Sequence, residues 1–300
     1  MKKIKILPLL VAFAALLSGC EKELEMEYID SDPKVVVMST VEAGVPVALQ
    51  LTYSRFFLST APFRAIDNAT VTLTVNGNAP ALAATAEGNK YTVAYAPAEG
   101  DKLDLRVQVP GHDDVTASTV VPRRAVVTGM RVQAVANADE ESYFSDYSLR
   151  FTLDDPAGER NYYRFQVIQI CSSGTYRDTM YSSFSCNDYT LNNEVGVSTA
   201  LDEVDGGARY SHLMFTDEVI DGMGHETELT VGCAPDAIKL ILVVTTYSRD
   251  RYLYEVTEQM YEDDPYATLF SEPVQIHTNI NGGIGIFGAS ARTSFSIEMP

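Results

Sequence analysis

Between Val45 and Tyr53 the chain alternates: Val45, Val47, Leu49, Leu51 and Tyr53 fall on one beat, Pro46, Ala48, Gln50 and Thr52 on the other. A period of two puts one set on each face of a strand, so one face is buried and the other wet. The beat returns in Val71, Leu73 and Val75 among Thr70, Thr72 and Thr74. It returns again in Leu103, Leu105, Val107 and Val109 among Lys102, Asp104, Arg106 and Gln108. Turn residues at Asn76-Gly77-Asn78, Glu87-Gly88-Asn89 and Glu99-Gly100-Asp101 separate these runs. With Val35–Val41, Tyr91–Tyr95 and Val115–Val121, about seven short strands are predicted over residues 34–122, the count and spacing of an immunoglobulin- or fibronectin-like β-sandwich.

Pro122-Arg123-Arg124 interrupts the alternation, and residues 123–300 are expected to form a second, β-rich domain. Strands are predicted at Val126–Ala136, Tyr147–Leu153, Tyr162–Cys171, Tyr189–Val197, Leu213–Phe215, Glu228–Cys233 and Ile238–Tyr247. Ile238, Leu240, Leu242 and Val244 lie in a nearly unbroken apolar run, which marks a central strand. Ser248 then offers an N-cap for one short helix reaching about Glu262 and ended by Pro265. Tyr252, Val256 and Met260 recur at helical spacing with Leu253 on the same side, a stripe suited to core packing. Two closing strands, Pro273–Thr278 and Thr293–Met299, flank the glycine-rich stretch Gly282–Gly288. The fold class is therefore mainly β: a β-sandwich followed by a second β-rich domain with one short helix.

The first residues break this pattern. Lys2, Lys3 and Lys5 lead into an apolar run from Ile4 to Leu17, shorter than the roughly 20 residues that cross a bilayer. A basic start, a short apolar stretch and small residues describe a cleaved signal peptide. Leu17-Ser18-Gly19-Cys20 resembles the lipobox of bacterial lipoproteins, so residues 1–19 are expected to be a signal peptide and Cys20 the lipidated first residue of the mature chain. Each buried CH₂ of an attached acyl chain such as palmitate contributes about 0.8 kcal/mol, so several chains anchor durably. Residues 20–33 then read as an acidic tether. Cys20 followed by Lys22 and Glu23 also resembles the signal that exports lipoproteins of the Bacteroidota phylum to the cell surface.

Charge narrows the partners. The full chain carries a formal charge of −19, and loss of the three leader lysines makes the mature chain more acidic still. Such a chain repels phosphate backbones and anionic headgroups, so nucleic acid is not an expected partner, and the membrane is reached only through the N-terminal lipid. The three later cysteines are Cys171, Cys186 and Cys233. Cys171 and Cys186 bracket polar residues between two apparent strands, and their pairing would staple a hairpin, contributing about 3 kcal/mol in the chain-entropy model. The sequence also leaves Cys233 open as a partner for either.

Candidate chemistry is thin. Gly283, Gly285 and Gly288 have the spacing of a dinucleotide fingerprint but open no helix. His225-Glu226-Thr227-Glu228-Leu229 begins like a zinc-protease motif and lacks its second histidine. Asp217, Glu218, Asp221, His225, Glu226 and Glu228, with His212 nearby, are the densest set of hard ligands, yet their spacing matches no known metal loop, and a solvated acidic loop is expected. Asp154, Asp155 and Glu159 are the carboxylates a glycoside hydrolase would need. His112 and His277 are isolated and expected in turn or packing roles, His277 within a strand. Tyr143, Phe144 and Tyr147, or Tyr176, Tyr181 and Tyr189, offer a binding platform, although without tryptophan packing between sheets is the expected role. No catalytic, cofactor or metal residue is assigned.

The C-terminal stretch carries a resemblance. Phe270-Ser271-Glu272-Pro273-Val274 leads into Thr278-Asn279-Ile280-Asn281-Gly282-Gly283-Ile284-Gly285-Ile286-Phe287-Gly288-Ala289. This resembles the ending of the Bacteroidota lipoproteins grouped as domain of unknown function 4249, with Thr278 where serine is usual. Pro33-Lys34-Val35-Val36-Val37 and Leu51-Thr52-Tyr53-Ser54-Arg55 agree near the other end. The resemblance implies a two-part, β-rich outer-membrane lipoprotein associated with a TonB-dependent transporter; it supplies no catalytic residues. The glycine run is expected to serve structure. The expected function is thus a non-enzymatic, outward-facing accessory or ligand-binding lipoprotein of such a transport system. A structural or adhesive surface protein is the alternative, and a carboxylate-based hydrolase a third.

Overall fold

A computed structural model describes residues 32–56, 59–135, 144–173, 176–191, 200–204, 207–263 and 274–300. The signal peptide, Cys20, most of the tether, Tyr143, Pro265 and the 270–273 motif lie outside the described residues. In the first region the alternation becomes β1 (Val35–Glu42), β2 (Val47–Tyr53), β3 (Thr70–Val75), β4 (Leu82–Ala83), β5 (Thr85–Glu87), β6 (Lys90–Val93), β7 (Lys102–Gln108) and β8 (Val115–Val120). There follow β9 (Val126–Ala134), β10 (Ser145–Asp154), β11 (Tyr162–Ser173), β12 (Tyr176–Ser182), β13 (Phe184–Cys186), β14 (Ala200–Val204), β15 (Gly207–Tyr210) and β16 (Leu213–Thr216). The last elements are β17 (Gly224–Cys233), β18 (Ala237–Tyr247), helix α1 (Arg249–Asp263) and β19 (Ile284–Glu298). The fold is mainly β.

The described strands form three sheets. Nine belong to one sheet in the order β12-β11-β18-β19-β1-β2-β6-β5, with β16 beside β11; six form β14-β15-β13-β17-β10-β9; four form β4-β3-β7-β8. The inward beat of β1 and β2 (Val35, Val37, Val47, Leu49, Leu51) packs with Leu73, Leu103, Leu105 and Val107 of the four-stranded sheet as a first core. Phe165 and Val167 of β11 and Leu240 and Leu242 of β18 pack with Leu149, Phe151, Leu229 and Val231 of the six-stranded sheet as a second. Helix α1 covers the opposite face: Tyr252, Leu253 and Val256 lie against Met214 and Tyr247. Its start is capped by Ser248, whose Oγ accepts from Arg251 N at 3.4 Å and from Ala289 N at 3.0 Å.

Strand β19 joins the two cores. It pairs parallel with β1, from Val36↔Ile284 to Glu42↔Ser290, and antiparallel with β18, from Tyr247↔Ser290 to Lys239↔Glu298. Phe287, Ala289 and Ala291 enter the first core, while Phe295 and Ile297, on the same beat, lie against the second. One sheet face thus roofs both. Residues 33–300 form one compact unit.

The glycine run makes this possible. Gly285 has φ +111°, and a Cβ there would run into the carbonyl oxygen of Val37. A Cβ on Gly288 would stand 2.7 Å from Cβ of Arg251 in α1. Asn279 completes the join, its Nδ2 donating to Phe287 O at 2.9 Å and its Oδ1 accepting from Phe287 N at 3.0 Å. Asn281 exchanges backbone hydrogen bonds with Thr116 of β8, at 2.8 and 3.0 Å.

Several expectations are corrected. Val45 lies in a turn and is exposed, because Gly44 at φ +84° delays β2 until Val47. Residues 187–191 run as coil and turn, and residues 192–199 lie outside the described set, so the expected 189–197 strand has no described counterpart. Residues 274–278, the described part of the expected Pro273–Thr278 strand, form no ladder, and Asn279 just beyond them fastens the segment to Phe287. Strand β12 was hidden by its composition: six of its seven residues are exposed at the sheet edge. Cys171 and Cys186 are not across one hairpin. Cys171 sits on β11 opposite Asp178 of β12, whereas Cys186 sits on β13 in the six-stranded sheet opposite Leu229. No disulfide joins them.

Two outcomes are expected. Gly285→Ala should lower stability by about 3 kcal/mol, combining a backbone clash with an unfavourable φ, as read by urea denaturation. Asp101 accepts from Tyr95 Oη at 2.6 Å, Asn76 Nδ2 at 2.8 Å and Ala98 N at 2.8 Å. The Tyr95 hydroxyl first, then Asn76 and the Ala98 amide, hold its carboxyl below the usual range against the effect of burial. A depressed folded-state pKa gives stability that is complete above the unfolded value, about 3.9, and disappears as pH falls through the folded one. Thermal melts of wild type and Asp101→Asn should therefore differ at neutral pH and converge in acid.

Candidate functional site

Three acidic side chains from two stretches meet at the end of the β10–β17 ladder, where Asp154 pairs with Gly224. Asp155 follows β10 directly, Asp217 follows β16, and Asp221 lies in the turn leading to β17. One ligand oxygen from each lies within 4.8 Å of the others. Asp155 and Asp217 are buried and Asp221 is exposed.

Each carboxylate is fixed by a backbone amide. Asp155 Oδ2 accepts from Gly222 N at 3.0 Å, and its Oδ1 from Tyr163 Oη at 2.6 Å. Asp217 Oδ2 accepts from Asn161 N at 2.7 Å and Asn161 Nδ2 at 3.3 Å. Asp221 Oδ1 accepts from Gly158 N at 2.8 Å. The turn is tight: Gly222 has φ +71°, and a Cβ there would come within 2.6 Å of Cβ of Ala157. Among the described residues Asp217 Oδ1 is buried without a hydrogen bond; Arg160 Nε stands 3.9 Å away. Burial pushes the Asp217 carboxyl up, and the neighbouring Asp155 charge adds to it, against the donors of Asn161. Burial likewise raises the Tyr163 hydroxyl, with Asp155 reinforcing it.

The structure divides the acidic set read from the sequence. Only Asp217 and Asp221 join Asp155. Glu218 pairs with Arg160 at 3.1 Å, Glu226 with Arg131, and Glu228 with Arg150 at 3.0 Å. His225 Nε2 lies 2.6 Å from Asp188 Oδ2. Burial pushes the Asp188 carboxyl up, but hydrogen bonds from Thr190 and His225 outweigh it and leave it lowered. His212 is held low by burial and by Arg164. Asp154 and Asp155, neighbours in sequence, face apart: Asp154 Oδ2 accepts from Thr128 Oγ1 at 3.2 Å, and Glu159 pairs with Arg123 at 3.5 Å. His112 stacks near Tyr53, ring centroids 5.2 Å apart, and His277, in coil, contacts Asp250 at 2.8 Å. Tyr176, Tyr181 and Tyr189 do not pack between sheets: they are 67%, 65% and 82% exposed, because β12 is an edge and Tyr189 lies in a turn.

Beside the carboxylates an open cleft of about 660 Å³ is lined mainly by residues from three stretches of the chain, among them Thr119, Pro122, Arg123, Arg160, Tyr162 and Asp250. Arg160 connects the two features, lining the cleft while its Nε faces Asp217. Sequence reasoning missed Asn161 and Tyr163. The available signal was parity, since both share the inward beat of Phe165 and Val167.

A family model described as Domain of unknown function (DUF4249) matches residues 21–296. The chain belongs to the DUF4249 family. No curated protein matches it. Among solved structures it is similar to a chain described as "Complete structure of manganese lipoxygenase of Gaeumannomyces graminis and partial structure of zonadhesin of Komagataella pastoris". That chain is 9% identical, with 89% of this chain and 93% of that one covered and a TM-score of 0.20, a likeness too loose to carry an argument. In this DUF4249 protein the Asn279–Gly288 run is the joint between β1, β8 and β19, which gives the glycines a structural role.

Tyr163→Phe should remove the hydroxyl donor to buried Asp155 and lower stability by about 1–3 kcal/mol, measured by urea denaturation.

Proposed function

We propose that this DUF4249 protein is a non-enzymatic, lipid-anchored outer-membrane lipoprotein that faces the cell exterior and serves a TonB-dependent transporter as an accessory or ligand-binding subunit. The observation that carries the reading is the leader: three lysines, a short apolar run and Leu17-Ser18-Gly19-Cys20, followed by an acidic stretch before the first strand. An acyl anchor on Cys20 would confine the β-rich body near its transporter and raise the effective concentration of the pair with no new contact. The 660 Å³ cleft, within the size range of small-ligand sites, is the proposed contact region for the unidentified ligand. Its walls carry Arg123, Arg160 and Arg249 together with Glu159 and Asp250, and the arginines pair with Glu159, Glu218 and Asp250, so the lining is polar and mixed in charge.

Cells expressing the full chain and fed a labelled fatty acid should incorporate the label. Cys20→Ala should abolish incorporation and move the protein from the membrane to the soluble fraction. Retention of label or of membrane association in that variant would sink the proposal. Protease treatment of intact cells tests exposure, and recovery of a transporter from gently solubilised membranes tests partnership.

A further inference from the structure

We infer that Asp155, Asp217 and Asp221 form a site for a hard divalent cation, with Ca²⁺ the best fit. Ca²⁺ takes oxygen ligands at about 2.3–2.6 Å, so two ligands of one ion stand at most about 5 Å apart. Ligand atoms of the three aspartates meet that limit, all lying within 4.8 Å of one another.

The second observation is the state of Asp217. Its side chain is 1% exposed, and its Oδ1 has no hydrogen-bond donor among the described residues. A buried carboxylate oxygen without a donor is costly, because the charge is removed from water with nothing returned. The nearest cation, Arg160, has its Nε at 3.9 Å, beyond hydrogen-bond range, and turns its Nη2 to Glu218 at 3.1 Å. The companion oxygen Oδ2 is already taken by Asn161. A bound cation would supply what Oδ1 lacks and cancel the repulsion that sets Asp155 against Asp217.

The donors around the cluster also suit a preformed site. Gly222 N, Asn161 N and Gly158 N each hold one oxygen of a different aspartate, so the carboxylates are oriented before any ion arrives. Among the described residues Asp221 Oδ2 and Asp217 Oδ1 accept no hydrogen bond, and Asp155 keeps lone pairs on both oxygens. With three carboxylates, one of them exposed, water would complete the coordination shell. That places the affinity near the weak range of extracellular modules, roughly 10⁻⁴–10⁻³ M. The ligands come from the end of β10 and from the β16–β17 turn, so the ion would clamp that turn to the β10 edge. This inference is independent of lipid anchoring and of the cleft.

The test uses the mature chain treated with a chelator and then titrated with CaCl₂ while thermal melting is followed. A saturable rise of the midpoint is expected for wild type and for Asp154→Asn, whose carboxylate faces away. In Asp217→Asn and Asp221→Asn the rise should be lost or require about tenfold more Ca²⁺. Asp221 is exposed, so its variant keeps the question open to test if Asp217→Asn does not fold. Tb³⁺ luminescence excited through tyrosine gives a second reading, since Tyr163 touches Asp155; emission should be quenched by Ca²⁺ and weak in Asp221→Asn. No saturable shift up to about 10 mM Ca²⁺, or the same shift in wild type and both variants, overturns the site.

Discussion

The close passage of β19 against β1 is the constraint on which both cores depend. A parallel pair carries evenly spaced but slanted hydrogen bonds and is normally closed by a long crossover. Here the crossover contains nearly all of the fold, from β2 to α1, and the returning strand must thread between β1 on one edge and β18 on the other. It fits because Gly285 presents no side chain to the Val37 carbonyl and Gly288 none to Arg251. Asn279 and Asn281 then fasten the approach by occupying backbone groups of Phe287 and Thr116. Remove any side of this joint and the roof over two hydrophobic cores loses its shared rib.

How much of this was legible depends on which physical signal a residue carried. Alternation exposed β1, β2, β3, β7 and β8, since their inward valines and leucines are buried on a strict beat. The N-cap of α1 was legible in Ser248, and its stripe in Tyr252 and Val256. Strand β12 was not, because an edge strand pairs through backbone and needs no apolar face, and β13, three residues long, is too short to show an alternation. The glycine run announced close backbone approach without naming what approached it. That the last strand belongs to both halves rests on pairing between residues some 250 positions apart, which no local pattern encodes.

The carboxylate cluster illustrates a finer reading. Asp155 continues the inward parity of Leu149, Phe151 and Leu153, and Asn161 and Tyr163 begin that of Phe165 and Val167. Polar residues on a buried beat are obliged to find partners. Counting acidic density along the chain instead drew attention to His225, Glu226 and Glu228, which the structure disperses among Asp188, Arg131 and Arg150. Parity within a strand was the better guide than proximity in sequence.

The placement of β19 also bears on when the molecule becomes itself. It follows every other described element in chain order, so a polypeptide emerging from a narrow exit holds two half-finished hydrophobic interiors until its final segment is free. Long-range pairings of this kind form slowly, and until they form the chain stays pliable. A fold closed this way is locked by the last of its described strands.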